Sequence, residues 1–289
     1  MNNINPTPLD EYGEVLDVKH VFWKELKKRK KRIIMLAAVA FVWALFCLII
    51  MRPGFTLSIY GFWLVVFPLI FLFLWLAIIY SGIRKAFWQQ LATKYGWEYS
   101  PLKDISDEKG LLFAVGNSEE AYNGIKGEYK NHPFHIFEYS YTVGSGKHKS
   151  TYSFTVFEIK FTGTFPHLYL NYKGDWHSNA PSMFSELAKI TLPSEFENKF
   201  KLYSPKEYEI ETLQIFTPEI FALLLDSKWN HDMEFVNGEL VIYRKKRFNS
   251  FTELDAELAK IKKFIDILSP LLNRFKLAQI GDISHSLER

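Results

Sequence analysis

The chain has 289 residues with 35 basic and 32 acidic side chains, a net charge of +3, one cysteine and 17% aromatic residues. A single thiol excludes a disulfide framework and a thiolate metal centre. The near-balance of charge argues against a nucleic-acid binder, which concentrates bases on its folded domain.

Residues 1–32 hold eight bases and five acids, and six of those bases are consecutive: Lys27, Lys28, Arg29, Lys30, Lys31 and Arg32. Leu9, Tyr12, Leu16 and Leu26 before them have helical spacing. Two apolar runs follow, 33–51 and 59–80, with no Asp, Glu, Lys, Arg or His inside either. Each is long enough as a helix to cross ~30 Å of hydrocarbon. The short linker 52–58 contains Pro53 and Gly54 and turns the two into an antiparallel hairpin. Bases stand before the first run and, as Arg84 and Lys85, after the second, with only Arg52 between. The positive-inside rule therefore predicts an inner-membrane protein with two spans and both termini cytoplasmic. The base block sets that topology and is also placed to contact anionic lipid head groups, at ~1 kcal/mol per base. Cys47 falls inside the first span, and Pro68 is expected to kink the second. No intramembrane charge marks an ion path.

The second run continues as a stalk helix with Ile83, Phe87 and Leu91 on one face, ended by Gly96. From 98 to about 173, β-branched and aromatic runs alternate with turns. Strands are predicted at 125–130, 133–143, 151–162 and 167–172, as an antiparallel meander. Aromatic residues on both faces of these strands call for a sheet covered on both sides. Later, 200–203 reads as a strand, and Thr217-Pro218-Glu219 opens a short helix. Segments 233–236 and 240–243 form a hairpin about Asn237-Gly238, a type I′ pair.

Ser250 and Glu253 start the last helix at capping-box spacing. Leu254, Leu258, Ile261, Ile265, Leu268, Leu272 and Phe275 make a heptad seam along it. The seam packs on the chain's own domain or, alternatively, on a second copy across 254–275. Pro270 is expected to bend or break the helix, and residues after Gly281 to form a tail. The fold class is α+β: a transmembrane helical hairpin, then a cytoplasmic antiparallel-sheet domain with flanking helices and a long C-terminal helix. The segments are 1–32, a basic N-terminal stretch; 33–80, the hairpin; 81–96, the stalk; 97–280, the α+β domain; and 281–289, the tail.

Chemistry is thinly signalled. Gly144-Ser145-Gly146-Lys147 lacks the first glycine and the Ser or Thr of a phosphate loop and joins two strands, so it is a hairpin turn. His132 and His135 flank Pro133, and on a strand they point to opposite faces, so no metal site is expected. Asp175 and His177 sit in a Gly-Asp-Trp-His-Ser-Asn stretch that could serve acid–base work in a pocket but uses ordinary turn residues. Glu138 and Glu158 read as cross-strand neighbours. There is no nucleophile elbow, HExxH helix or dinucleotide fingerprint, and no cofactor is expected.

Lys201-Leu202-Tyr203-Ser204, Ile215-Phe216-Thr217-Pro218-Glu219-Ile220-Phe221 and Leu240-Val241-Ile242-Tyr243 resemble an uncharacterised bacterial membrane family, domain of unknown function 3137. A strand start bracketed by Gly124 and Gly127 belongs to the same pattern. The resemblance covers most of residues 24–270 and implies two N-terminal spans before a cytoplasmic α+β domain. The chain departs from it at Arg247-Phe248-Asn249-Ser250-Phe251, where the family has a Leu-Phe-Glu element. The resemblance implies no activity, so it assigns no site residues.

The leading reading is a non-enzymatic, membrane-anchored module whose domain binds another protein or lipid head groups. One alternative is a membrane-tethered hydrolase or transferase using Glu138, Glu158, Asp175 and His177. A second is a pleckstrin-like membrane domain, which would show seven strands closed by one final helix.

Overall fold

The computed structural model describes residues 57–105, 110–163, 165–174 and 187–287, with isolated helical positions between Val18 and Val42. Most of the run 33–51 with Cys47, the linker 52–56, Lys28, Arg29, Arg32, Asp175 and His177 lie outside the described residues.

Helix α1, Leu57–Tyr95, contains Pro68 without ending there. Among the described residues one helix is long and apolar enough to cross a membrane, and it is this one, over Leu69–Tyr95. After the apolar stretch, Ile83, Phe87, Trp88 and Leu91 are buried. The helix ends as its sequence requires. Gly96 takes φ +66°, Trp97 N–H donates to the Ala92 carbonyl at 2.8 Å, and Gly96 N–H donates to that of Thr93 at 3.2 Å. This is a Schellman cap, in which a residue without Cβ adopts the left-handed turn.

The chain divides into two compact units, 1–90 with 249–251, and 91–248 with 252–289. In the first, Val18 N–H donates to the Asn249 carbonyl at 2.7 Å, and the buried Arg84 donates to Asn249 Oδ1 at 3.1 Å. Phe87 stacks on Phe251 at 4.8 Å.

The second unit holds a nine-stranded antiparallel sheet. Its strands are β1 Glu98–Lys103, β2 Asn117–Tyr129, β3 His132–Val143, β4 Ser150–Lys160, β5 Leu168–Tyr172, β6 Ala188–Ile190, β7 Phe200–Ser204, β8 Asp232–Val236 and β9 Glu239–Arg244. Their order across the sheet is β1-β2-β3-β4-β9-β8-β5-β7-β6. Of the expected four-strand meander, β2, β3 and β4 are successive neighbours, but the fourth strand, β5, is parted from β4 by β9 and β8. The late hairpin is present, and its Asn237 and Gly238 take φ +52° and +79° as a type I′ turn needs. That hairpin lies between β4 and β5. The edges are blunted by Pro101 in β1 and by the shortness of β6, three residues. Among the described residues the sheet has nine strands in an open order with β1 and β6 at its ends, which counts against a seven-stranded barrel closed by one helix and so against the pleckstrin-like alternative.

Both faces of the sheet are covered, which is why its strands are apolar on both sides. The first face carries Phe134, Ile136, Phe157, Met233 and Ile242 and meets helix α5, Phe251–Leu287. The α5 residues Leu254, Leu258, Ile261, Ile265, Leu268 and Leu272 are at most 2% exposed. Each contributes roughly 1.5–3 kcal/mol by burial. Over 254–272 the heptad seam is therefore consumed within the chain. The helix also runs on through Pro270 and Gly281 to Leu287. A proline removes one amide from the ladder, and buried Leu268 and Leu272 on either side of it keep the helix in register. The second face carries Phe137, Tyr139, Tyr141, Val156, Val241 and Tyr243 beneath Leu111 and Leu112 of the β1–β2 connection. Two shorter helices, α3 Glu209–Ile215 and α4 Pro218–Asp226, follow β7; α2 is the single turn Ser194–Glu197 before it.

Candidate functional site

The register places one row of side chains across the second face: His135, Glu158, Val241, Glu234, Tyr169 and Tyr203, one from each successive strand. Glu158 and Glu234 are thus two strand spacings apart, roughly 10 Å, with Val241 between them. Both are almost wholly buried, and a buried carboxylate is tolerated only when it is paired.

Their partners come from outside the row. Lys103 of β1 donates to Glu158 Oε2 at 2.5 Å and lies 4.0 Å from the centre of the Phe137 ring. His135 Nδ1 is 3.5 Å from the same oxygen, while Glu158 Oε1 makes no hydrogen bond among the described residues. Glu234 Oε2 accepts from Leu111 N–H at 2.7 Å, and its Oε1 lies 2.5 Å from His167 Nε2. The loop can come this close because Gly110 has no side chain: a Cβ there would sit 3.1 Å from Glu234 Oε2. Beside this row, Asp232 Oδ1 accepts from Tyr172 N–H at 2.6 Å. Burial first, and then the neighbouring Tyr169, Asp232 and Glu234, push the Tyr243 hydroxyl well above its ordinary value. That hydroxyl is a donor at every physiological pH.

Glu138 is also buried but does not join this group. It pairs with Thr155 across the sheet, whereas Glu158 pairs with His135. Residues three apart on a strand face opposite ways, so Glu138 and Glu158 lie on opposite faces and are not the cross-strand neighbours expected. Glu138 accepts from Asn123 Nδ2 at 2.7 Å, where a β-bulge puts Asn123 at φ +55°. Asp175 and His177, outside the described residues, cannot be placed with either acid. His132 and His135 do point to opposite faces: the first meets Ser269 Oγ at 3.2 Å and the second meets Glu158. Among the described residues no three of His, Cys, Asp and Glu come together as a metal site. The base block contributes Lys27, Lys30 and Lys31, all exposed on helical backbone.

The arrangement can hold protons and order a loop. Each carboxylate has a cation or an amide donor and an imidazole, and His167, with 34% of its side chain exposed, is the member that reaches solvent. Lys103, His167, Asp232 and Glu234 carried no sequence signal of a site. The one cue to their burial is that apolar residues occupy both faces of the strands around Glu234.

No family model and no curated protein matches the sequence. The crystal structure of the mycobacterial trehalose monomycolate transport factor A, TtfA, is similar with a TM-score of 0.46 and 15% identity, over 65% of this chain and 95% of that one. A likeness of that size is too slight to carry over a function.

Proposed function

We propose that the chain is a membrane-anchored binding module of the kind the resembled two-span family suggests. Two spans moor it in the inner membrane, both termini face the cytoplasm, and the α+β domain binds a protein partner or lipid head groups. The observation that carries the anchor is the exposure of Leu69, Ile70, Phe71, Leu72, Phe73 and Leu74, six successive residues between 41% and 72% exposed. At 100° per residue these cover the whole circumference of the helix, so no single neighbour hides them and hydrocarbon suits them all. A binding role is favoured over chemistry because the acids described on the sheet spend their charge on internal partners. The exposed lysines Lys27, Lys30 and Lys31 supply the electrostatic part of membrane contact. Fusion reporters test the anchor: position 55 should read periplasmic, and positions 20 and 150 cytoplasmic. The reverse pattern refutes it. Crosslinking in intact cells tests the binding role, which fails when neither a reproducible partner nor lipid-dependent binding is recovered.

The Glu234–His167 dyad supports a second reading, a membrane-tethered hydrolase with His167 as general base. Full hydrolytic activity in a His167→Asn variant eliminates that role for the residue.

A further inference from the structure

Lys262 of α5 is placed differently from its neighbours. Lys260, two residues earlier, pairs with Glu257 at 2.8 Å. Lys262 makes no ion pair among the described residues. Its ammonium nitrogen stands instead 4.6 Å from the centre of the Tyr95 ring, 5.2 Å from Tyr129 and 5.6 Å from Trp97. The three rings are held independently of the lysine. Trp97 lies flat on Gly127, where a Cβ would come within 2.1 Å of its Cδ1, and Tyr95 stacks on Trp97 at 4.8 Å. Tyr95 Oη donates to Asp255 Oδ1 at 2.7 Å and Tyr129 Oη to Asp266 Oδ1 at 3.0 Å. The two acids flanking Lys262 on its own helix thus orient the cage, and their other contacts go to Lys94 and Lys130.

A three-ring cage attracts a cation through its ring faces but offers no hydrogen-bond acceptor. A primary ammonium has three N–H donors and is strongly hydrated. The occupant therefore loses water that the cage does not replace. Methylation keeps the charge, removes N–H donors and weakens hydration, which converts that mismatch into a fit. We propose that Lys262 is a site of N-methylation and that Tyr95, Trp97 and Tyr129 are its built-in receptor. The co-reactant is a sulfonium methyl donor. The neutral amine attacks the methyl carbon, the N–C bond forms, the C–S bond breaks with its electron pair staying on sulfur as a thioether, and a proton leaves nitrogen for solvent. Burial lowers the Lys262 pKa, with Lys94 adding to the effect and Asp255 opposing it, which favours the neutral nucleophile. The side chain is half-buried, so it remains reachable.

The full chain, purified in detergent from the organism that makes it, is digested and its 254–275 region read by mass spectrometry. Methyl groups should appear on Lys262 and not on Lys260 or Lys263. An unmodified Lys262, or equal methylation of all three, overturns the proposal. The Trp97 amide, locked in the helix cap, reports on the cage. Its hydrogen exchange should be roughly two- to thirtyfold faster in unmethylated protein made in a foreign host. A K262R variant from the native cells should exchange as fast as the unmethylated protein; slow exchange in that variant also overturns the proposal.

Discussion

Replacing Glu234 separates what its charge does from what its shape does. The carboxylate accepts two donors, Leu111 N–H at 2.7 Å and His167 Nε2 at 2.5 Å, with no solvent reaching it. In Glu234→Gln the amide oxygen can keep Leu111, and the amide NH2 can donate to His167 once that ring shifts its proton to Nδ1. Only the charge-assisted part is lost, ~1 kcal/mol. In Glu234→Ala both donors lose their acceptor. The buried Leu111 amide alone costs ~1–3 kcal/mol, and the deleted side chain leaves a cavity that adds a similar amount. The local readout is amide exchange over 110–115 in the full chain, where each ~1.4 kcal/mol is a tenfold change in rate. Glu234→Gln should accelerate Leu111 by about tenfold or less, and Glu234→Ala by well over a hundredfold. Equal effects in the two variants would refute the account of Glu234 as the fastener of this loop.

Gly127→Ala drives a methyl group into Trp97 and should cost ~1–3 kcal/mol or more, read as a lower urea midpoint; an unchanged midpoint contradicts the packing described. His231 is fully buried, and its pKa is held well below the usual imidazole value by burial first and then by Arg244, Lys260 and Lys246. Glu257 lies 3.6 Å from its Nε2, but that carboxylate is shared with Lys260 and Arg244. The folded chain thus keeps the ring neutral where the unfolded chain protonates it. Its contribution is complete above about pH 6.5 and falls by ~1.4 kcal/mol per unit below that, until the folded-state pKa is reached. His231→Phe should flatten the stability–pH curve between pH 7 and 5, and an identical slope in wild type and variant rules the ring out. Leu72→Lys puts a charge in the middle of the exposed apolar run and should weaken membrane insertion of that helix by roughly 3–4 kcal/mol, seen in the proposed topology as a reporter at position 150 that no longer reads cytoplasmic.

Local chemistry was legible in the sequence wherever one or two residues decide it. Gly96 and Asn237-Gly238 mark turns that the structure places where expected, and Pro218 opens its helix with Thr217 at the N-cap position, although the Thr217 hydroxyl makes no capping hydrogen bond. Aromatic side chains on both faces announced a doubly covered sheet. The strand order was not legible, because β4 pairs with β9 through a contact that no local pattern encodes. The buried acids were hidden for a related reason. In Met233-Glu234-Phe235 the alternation reads as apolar-in and charged-out, and only the loop at 110–115, with no periodicity of its own, turns the second face into an interior. Glu138 and Glu158 read as neighbours in the sequence but are not, because their relation depends on a register offset between β3 and β4.

The position of the late hairpin has a consequence for how the protein is made. When β4 leaves the ribosome its free edge has no partner, since β9 ends at Arg244, more than eighty residues later. At ~5–20 residues per second that interval is on the order of ten seconds, during which the four-stranded aromatic ribbon β1–β4 waits with an open edge on β4. Closure depends on almost the last segment synthesised. Slow, non-local pairing of this kind invites edge-to-edge association between neighbouring chains. Cells that make this protein should therefore need a holdase for the nascent chain. Moving the β8–β9 hairpin ahead of β5 by circular permutation should relieve that need.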